Sequence, residues 1–180
     1  CFLWDVNRDA SSSPSGDQLG SGTPVLKLAH QIDVASMSWI LQGSTLVIGG
    51  ELRNAHLYDI RTPAATGTLQ QANATIYAHN FSVSGIEADP HRPHQFATFC
   101  SVANEPVKIW DARRTDNYVS EIKVGASSAT HGETNLSVRN FGRSDSLNTA
   151  AASAVQWSIR QPGILSIAIG DCICDFDTSS

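Results

Sequence analysis

Charged side chains are scarce: Asp, Glu, Lys and Arg make up 16% of the 180 residues, against about a quarter in an ordinary globular chain. That scarcity fits strands buried between layers. Basic residues are the rarer sign, 12 Lys and Arg against 17 Asp and Glu, for a net charge of −5. Broad phosphate binding needs clustered Lys and Arg, so nucleic acid is not an expected partner. No apolar run approaches the ~20 residues that cross a bilayer as a helix. The start, Cys1-Phe2-Leu3-Trp4-Asp5, has no basic leader and no small-residue cleavage site. It is therefore not expected to be a signal peptide, and it reads as a cut inside a longer chain.

Nucleophile and phosphate motifs are missing as well. Neither Gly-x-Ser-x-Gly nor Gly-x-x-x-x-Gly-Lys occurs, so acyl transfer through a nucleophile elbow and P-loop chemistry have no sequence basis. Gly16, Gly20 and Gly22 fall in a Ser-rich stretch rather than between a strand and a helix, and cannot cradle a phosphate in that way. Cysteine is limited to Cys1, Cys100, Cys172 and Cys174. The single residue between Cys172 and Cys174 puts both thiols on one side of a strand. Zinc sites use longer spacings and further ligands, so free thiols are expected. The glycosylation-like triplets at Asn73, Asn80 and Asn135 read as chance without a secretion signal.

What the sequence does contain is a repeat. An aromatic followed by Asp recurs as Leu3-Trp4-Asp5, Leu57-Tyr58-Asp59, Ile109-Trp110-Asp111 and Asp175-Phe176-Asp177, with the aromatics 54, 52 and 66 residues apart. Repeats of propeller type run about 40–45 residues, so inserted loops are expected. Ala29-His30 and Ala78-His79 each precede a strand-like run. The first repeat then offers strands at 34–39, 45–48 and 55–60, and the second at 83–88, 96–100 and 107–112, with Gly, Pro, Asn and Asp at the turns. Outer strands are expected at 25–28, 75–78 and 118–124, and a last, three-stranded unit at 154–158, 164–169 and 173–176. The Ala-rich stretch 149–157 could form a helical turn, but alternation at Val155 and Trp157 favours a strand.

The expected fold class is thus all-β. Residues 1–180 form one domain of about two complete four-stranded blades flanked by two incomplete ones. Such a stack is not a closed ring, so the native protein is expected to be longer or this product incomplete. Two low-complexity inserts interrupt it, at 9–23 and 125–149. Both are too poor in apolar residues to offset their ordering entropy, so they are expected to be mobile. The second carries Ser144 and Ser146, which phosphorylation could use; an unselected insertion is the plainer reading.

The recurring Ala-His and aromatic-Asp pairs resemble the WD-repeat family. In that family a His before the first strand, a Ser or Thr on the second, an Asp in the next turn and a Trp on the third form a hydrogen-bonded structural set. The resemblance assigns His79, Ser101, Asn104 and Trp110 to it in the second repeat, with Asn in place of Asp. His30 and Tyr58 belong to the first repeat and Phe176 to the last, while Asp59, Asp111 and Asp177 follow the aromatics. These are structural residues; no catalytic, cofactor-binding or metal residue is expected. A narrower resemblance is to the Mios (missing oocyte) proteins, carried by Ala55-His56-Leu57-Tyr58-Asp59-Ile60-Arg61, by Glu87-Ala88-Asp89-Pro90 with Pro106-Val107-Lys108-Ile109-Trp110-Asp111-Ala112-Arg113, and by Trp157 with Pro162-Gly163-Ile164-Leu165.

Mios proteins are subunits of the second GATOR complex, SEA in fungi, which signals amino-acid sufficiency to the TOR kinase. The resemblance implies a non-enzymatic scaffold without cofactors, small-molecule substrate or membrane insertion. Its partners would be the other subunits of that complex, and its place the cytoplasm, peripheral to the lysosome or vacuole through the complex. The alternative is a generic WD-repeat adaptor, such as a ubiquitin-ligase substrate receptor.

Asp89, His91 and His94 could hold a metal, but the prolines among them favour a tight strand connection. His56 shares a strand face with Tyr58 and reads as a packed or hydrogen-bonded residue. Arg61, Arg113 and Arg114 read as solvated turn charges, and His131 has no assigned role.

Overall fold

The computed structural model describes residues 1–3, 26–28, 33–61, 69–123, 136–137 and 151–179. Fourteen strands and a 3-10 turn account for the regular structure among them. Strand β1 (Phe2–Leu3) pairs with β2 (Leu26–Lys27). Strands β3 (Val34–Ile40), β4 (Thr45–Gly50), β5 (Asn54–Asp59) and β6 (Ala74–Tyr77) form one antiparallel sheet in that order. Strands β7 (Gly85–Ala88), β8 (Gln95–Phe99), β9 (Val107–Asp111) and β10 (Ser120–Ile122) form another. The last sheet runs β12 (Ala152–Trp157), β13 (Ile164–Ile169), β14 (Cys172–Asp177) and β11 (Leu136–Ser137).

The strands follow the sequence pattern closely because period-two alternation and turn chemistry agree along most of the chain. Leu41, Gln42 and Gly43, with φ of 52°, 57° and 84°, reverse the chain between β3 and β4. No α-helix occurs among the described residues. One expectation is corrected: the last sheet has four strands, not three. The extra strand, β11, comes from inside the 125–149 insert and pairs with β14, Leu136 opposite Phe176. A two-residue strand flanked by Ser, Thr and Asn offers too little periodicity to be seen in sequence. The 9–23 insert and the rest of 125–149 lie outside the described residues.

Register shows how the faces are used. Trp39, Leu46 and Tyr58 lie abreast in the first four-stranded sheet, Ala88, Phe96 and Trp110 in the second, Trp157, Leu165 and Phe176 in the third. Side chains abreast in this way share a face. Each row faces the sheet that comes before it in sequence. Leu46, Ile48 and Tyr58 pack with Leu3, Leu26 and Leu28. Phe96 and Trp110 pack with Val47, Leu57 and Ile76. Trp157, Leu165 and Phe176 pack with Ala97, Ile109 and Val107. The sheets therefore stack face to face in chain order, each pair enclosing an apolar layer.

The first strands of neighbouring sheets are also tied by polar contacts. Ile86 N donates to Ser36 Oγ at 3.0 Å and Ala88 N to Ser38 Oγ at 3.1 Å, linking β7 to β3. On the other side, Gln156 Nε2 donates to Glu87 Oε1 at 2.7 Å and Trp157 Nε1 to Glu87 O at 3.2 Å. Gly85 is required in β7, since a Cβ there would overlap the Phe99 ring across the strand pair.

Candidate functional site

The densest polar cluster lies inside the second four-stranded sheet. His79, in the connection into β7, is fully buried. Its Nε2 lies 2.9 Å from Thr98 Oγ1, and Trp110 Nε1 donates to the same hydroxyl at 2.9 Å. A threonine hydroxyl carries one proton and two lone pairs, so it can accept from the indole and donate to the imidazole. That arrangement leaves Nδ1–H toward Glu105, whose Oε2 lies 3.5 Å away. Asn80 Nδ2 donates to the other Glu105 oxygen at 2.9 Å. Burial lowers the His79 pKa, and the Lys108 ammonium lowers it further. Lys108 Nζ itself donates to Ala78 O at 2.8 Å and sits over the Tyr118 ring.

This cluster differs in two members from the set that the resemblance assigned. The hydroxyl is that of Thr98, not Ser101, and the acid is Glu105, not Asn104. Ser101 lies in the turn beyond β8, exposed, where its backbone N–H donates to Ser84 Oγ. Thr98 lies within β8, two residues from Phe96, and so on the face that carries Trp110. Asn104 has φ of 65°, a left-handed geometry that Asn tolerates better than most residues. It makes the turn, and Glu105 after it reaches the histidine side. Strand alternation was the signal that could have picked Thr98; a longer side chain one position on gave no comparable sign of Glu105.

Among the described residues the other sheets lack this cluster. Ile48 and Ile167 occupy the places of Thr98, two residues along from Leu46 and Leu165. His30 lies outside the described residues. Tyr58, Trp110 and Phe176 occupy equivalent third-strand positions and are all buried. Asp59 and Asp111 close the same turn twice: each Oδ1 accepts from the backbone N–H and Nε of the arginine two residues on, Arg61 or Arg113, while Oδ2 takes Nη2 at 2.6 Å. These arginines hold Asp59 down to about 2 and lower Asp111 as well. Asp177 accepts instead from Ser179 N at 2.8 Å. Arg61 and Arg113 are thus exposed turn charges, as expected, each paired with the aspartate two residues before it.

The Asp89–His94 turn is held by its own bonds. Asp89 Oδ1 accepts from His91 N and Arg92 N, and His91 Nε2 lies 3.0 Å from Ser158 O of the next sheet. Among the described residues no group of three His, Cys, Asp or Glu side chains could hold a metal ion. Cys172 and Cys174 are free thiols, both buried. His56 Nδ1 lies 3.2 Å from Thr75 Oγ1, a cross-strand contact.

An open cleft of about 350 Å³ lies between the first two four-stranded sheets at one end of their strands. The turn after β4 gives it Glu51 and Arg53, the connection into β7 gives Asn80, Phe81 and Ser82, and Ser101 closes it. Ser84, Cys100 and Val102 complete the lining. No helix among the described residues is long and apolar enough to cross a membrane. No protein family and no curated protein matches this chain.

Proposed function

We propose that the chain is part of a WD-repeat β-propeller that acts as a non-enzymatic scaffold for other proteins. The observation that carries this reading is the triple recurrence of Tyr58, Trp110 and Phe176 at one register position in three stacked, antiparallel four-stranded sheets. The hydrogen-bonded His79, Thr98 and Trp110, with Glu105 beside the histidine, support it as an internal lock of one blade. Function then rests with the ends of the strands, where the cleft around Arg53 and Phe81 offers a polar and aromatic rim.

The Mios-like residues around Tyr58 and Trp110 extend the proposal to a subunit of a GATOR- or SEA-like complex, at the lysosomal or vacuolar surface through that complex. Affinity purification of the full-length protein, with mass spectrometry of what it retains, tests it. Recovery of GATOR or SEA subunits is the expected result, weakened by Phe81→Ala with Arg53→Glu. Recovery of ubiquitin-ligase subunits alone would overturn it in favour of an adaptor.

A further inference from the structure

The three tyrosines of the chain stand in three different settings. Tyr58 is buried within β5. Tyr77 is exposed but sits in β6 opposite Asn54, with buried Ile76 and Ala78 on either side. Tyr118 lies between β9 and β10, and every residue from Asp116 to Ser120 is exposed. Its ring is nonetheless packed. It stands edge-on to Trp110 with centroids 6.0 Å apart, and Lys108 Nζ lies 5.3 Å from its centroid. Its hydroxyl donates to Glu121, which lies opposite Lys108 in the β9–β10 pair. Glu121 has a second cation nearby, Lys123 Nζ at 3.8 Å. Lys108 is the link inward, because its Nζ donates to Ala78 O at 2.8 Å. Ala78 and His79 in turn hold the two walls of the cleft together: their backbone N–H groups donate to Arg53 O at 2.9 and 3.1 Å, and Asn80, Phe81 and Ser82 follow as the facing wall.

We propose that Tyr118 is a modification site for a protein tyrosine kinase, and that its phosphate draws Lys108 off Ala78 and so loosens the 80–82 wall of the cleft. In that step the γ-phosphoryl group of ATP passes to Tyr118 Oη, the phenolic proton goes to the catalytic base of the kinase, and ADP leaves. The ester has no proton to give Glu121, so that bond is lost while Glu121 keeps Lys123 beside it. Lys108, on a flexible stem, turns from the Ala78 carbonyl to the phosphate. A charge of about −1.5 to −2 attracts the ammonium more strongly than a carbonyl dipole does. The head of the 78–84 connection then lacks its charged anchor. The site stands on these contacts alone and needs neither the propeller reading nor its partners.

The test treats the folded protein with a tyrosine kinase of broad specificity and magnesium ATP, and locates the phosphate by mass spectrometry. Each rate is divided by that of the matching free peptide, which removes the kinase's own preference for sequence. On that scale Tyr118 is expected to react about tenfold faster than Tyr77, which must first leave β6. Tyr118→Phe should leave the folded protein nearly unmodified. Equal rates at Tyr77 and Tyr118, or no phosphate on Tyr118, would refute the site.

The link to the cleft has its own readouts. Amide exchange at residues 79–82 should quicken about fivefold in the phosphorylated protein. His79 should titrate at higher pH by NMR, because the Lys108 charge that opposes its proton is then matched by the phosphate. In Lys108→Met, phosphorylation should change neither quantity. Exchange and titration that ignore the phosphate would rule the link out. So would changes that persist in Lys108→Met, which would assign them to the Tyr118–Trp110 contact. Should Lys108→Met fail to fold, Lys108→Gln serves the same comparison.

Discussion

Thr98 makes the sharpest residue-scale test of the buried cluster. It serves two buried ring nitrogens through one hydroxyl, so Thr98→Val strands both at nearly constant volume. Leaving a buried donor or acceptor unmet costs about 1–3 kcal/mol, so a loss of that order in chemical denaturation is expected. Ser101→Ala should stay within about 0.5 kcal/mol, as exposed substitutions usually do. Equal effects would remove the case for Thr98 over Ser101. His79 supplies a pH dependence. Its folded pKa is depressed, so the unfolded chain binds its proton more readily. Stability from this group is complete above about 6.5 and is lost as pH falls through the lower, folded value. Thermal melts from pH 7.5 to 5 should show a decline that His79→Gln flattens. The cluster was half legible in the sequence: His79 and Trp110 announce themselves by type and spacing. Thr98 hides because a hydroxyl inside an apolar strand looks like any β-branched residue, and Ser101 lies nearer the turn where an acid is sought.

At the scale of the strand, legibility was much higher. Alternation in 34–40, 95–99 and 164–169 fixes which side chains face which layer, and the Gly, Pro and Asn turns fix where each strand stops. The exception is β11, whose pairing with β14 joins residues 40 apart, Leu136 with Phe176. No local pattern encodes so distant a partner. Gly85 marks a tight fit between strands. A methyl group there meets the Phe99 ring, and overpacking of this kind costs typically about 1–3 kcal/mol. Gly85→Ala should lower the denaturation midpoint accordingly, and Gly85→Ala with Phe99→Leu should recover part of the loss. A glycine at the start of a strand is readable as a close approach, but the ring it accommodates is not readable without the pairing.

Taken whole, the molecule is a row of sheets in which each face is answered by the next until the row meets β1 and β2. Order along the chain becomes order in space, which is why a repeat seen in one dimension translated so directly into stacking. Deleting β1 and β2 should therefore act on the neighbouring sheet, by exposing Leu46, Ile48 and Tyr58. A chain starting at residue 33 is expected to melt lower and to bind more of a hydrophobic dye than residues 1–180. An unchanged melt would mean that this layer contributes little.

The hydroxyls of Ser36 and Ser38 carry a consequence of another kind. Each occupies an outward amide of β7, a strand at the margin of its sheet, and such amides are what a foreign strand would seize. Two small side chains thus act as guards against clumping as well as links between layers. Replacing both with alanine would leave the fold's apolar layers intact yet open β7 to invasion. Light scattering on heating should then rise well before the main melt, a change in colloidal behaviour from the loss of two oxygen atoms.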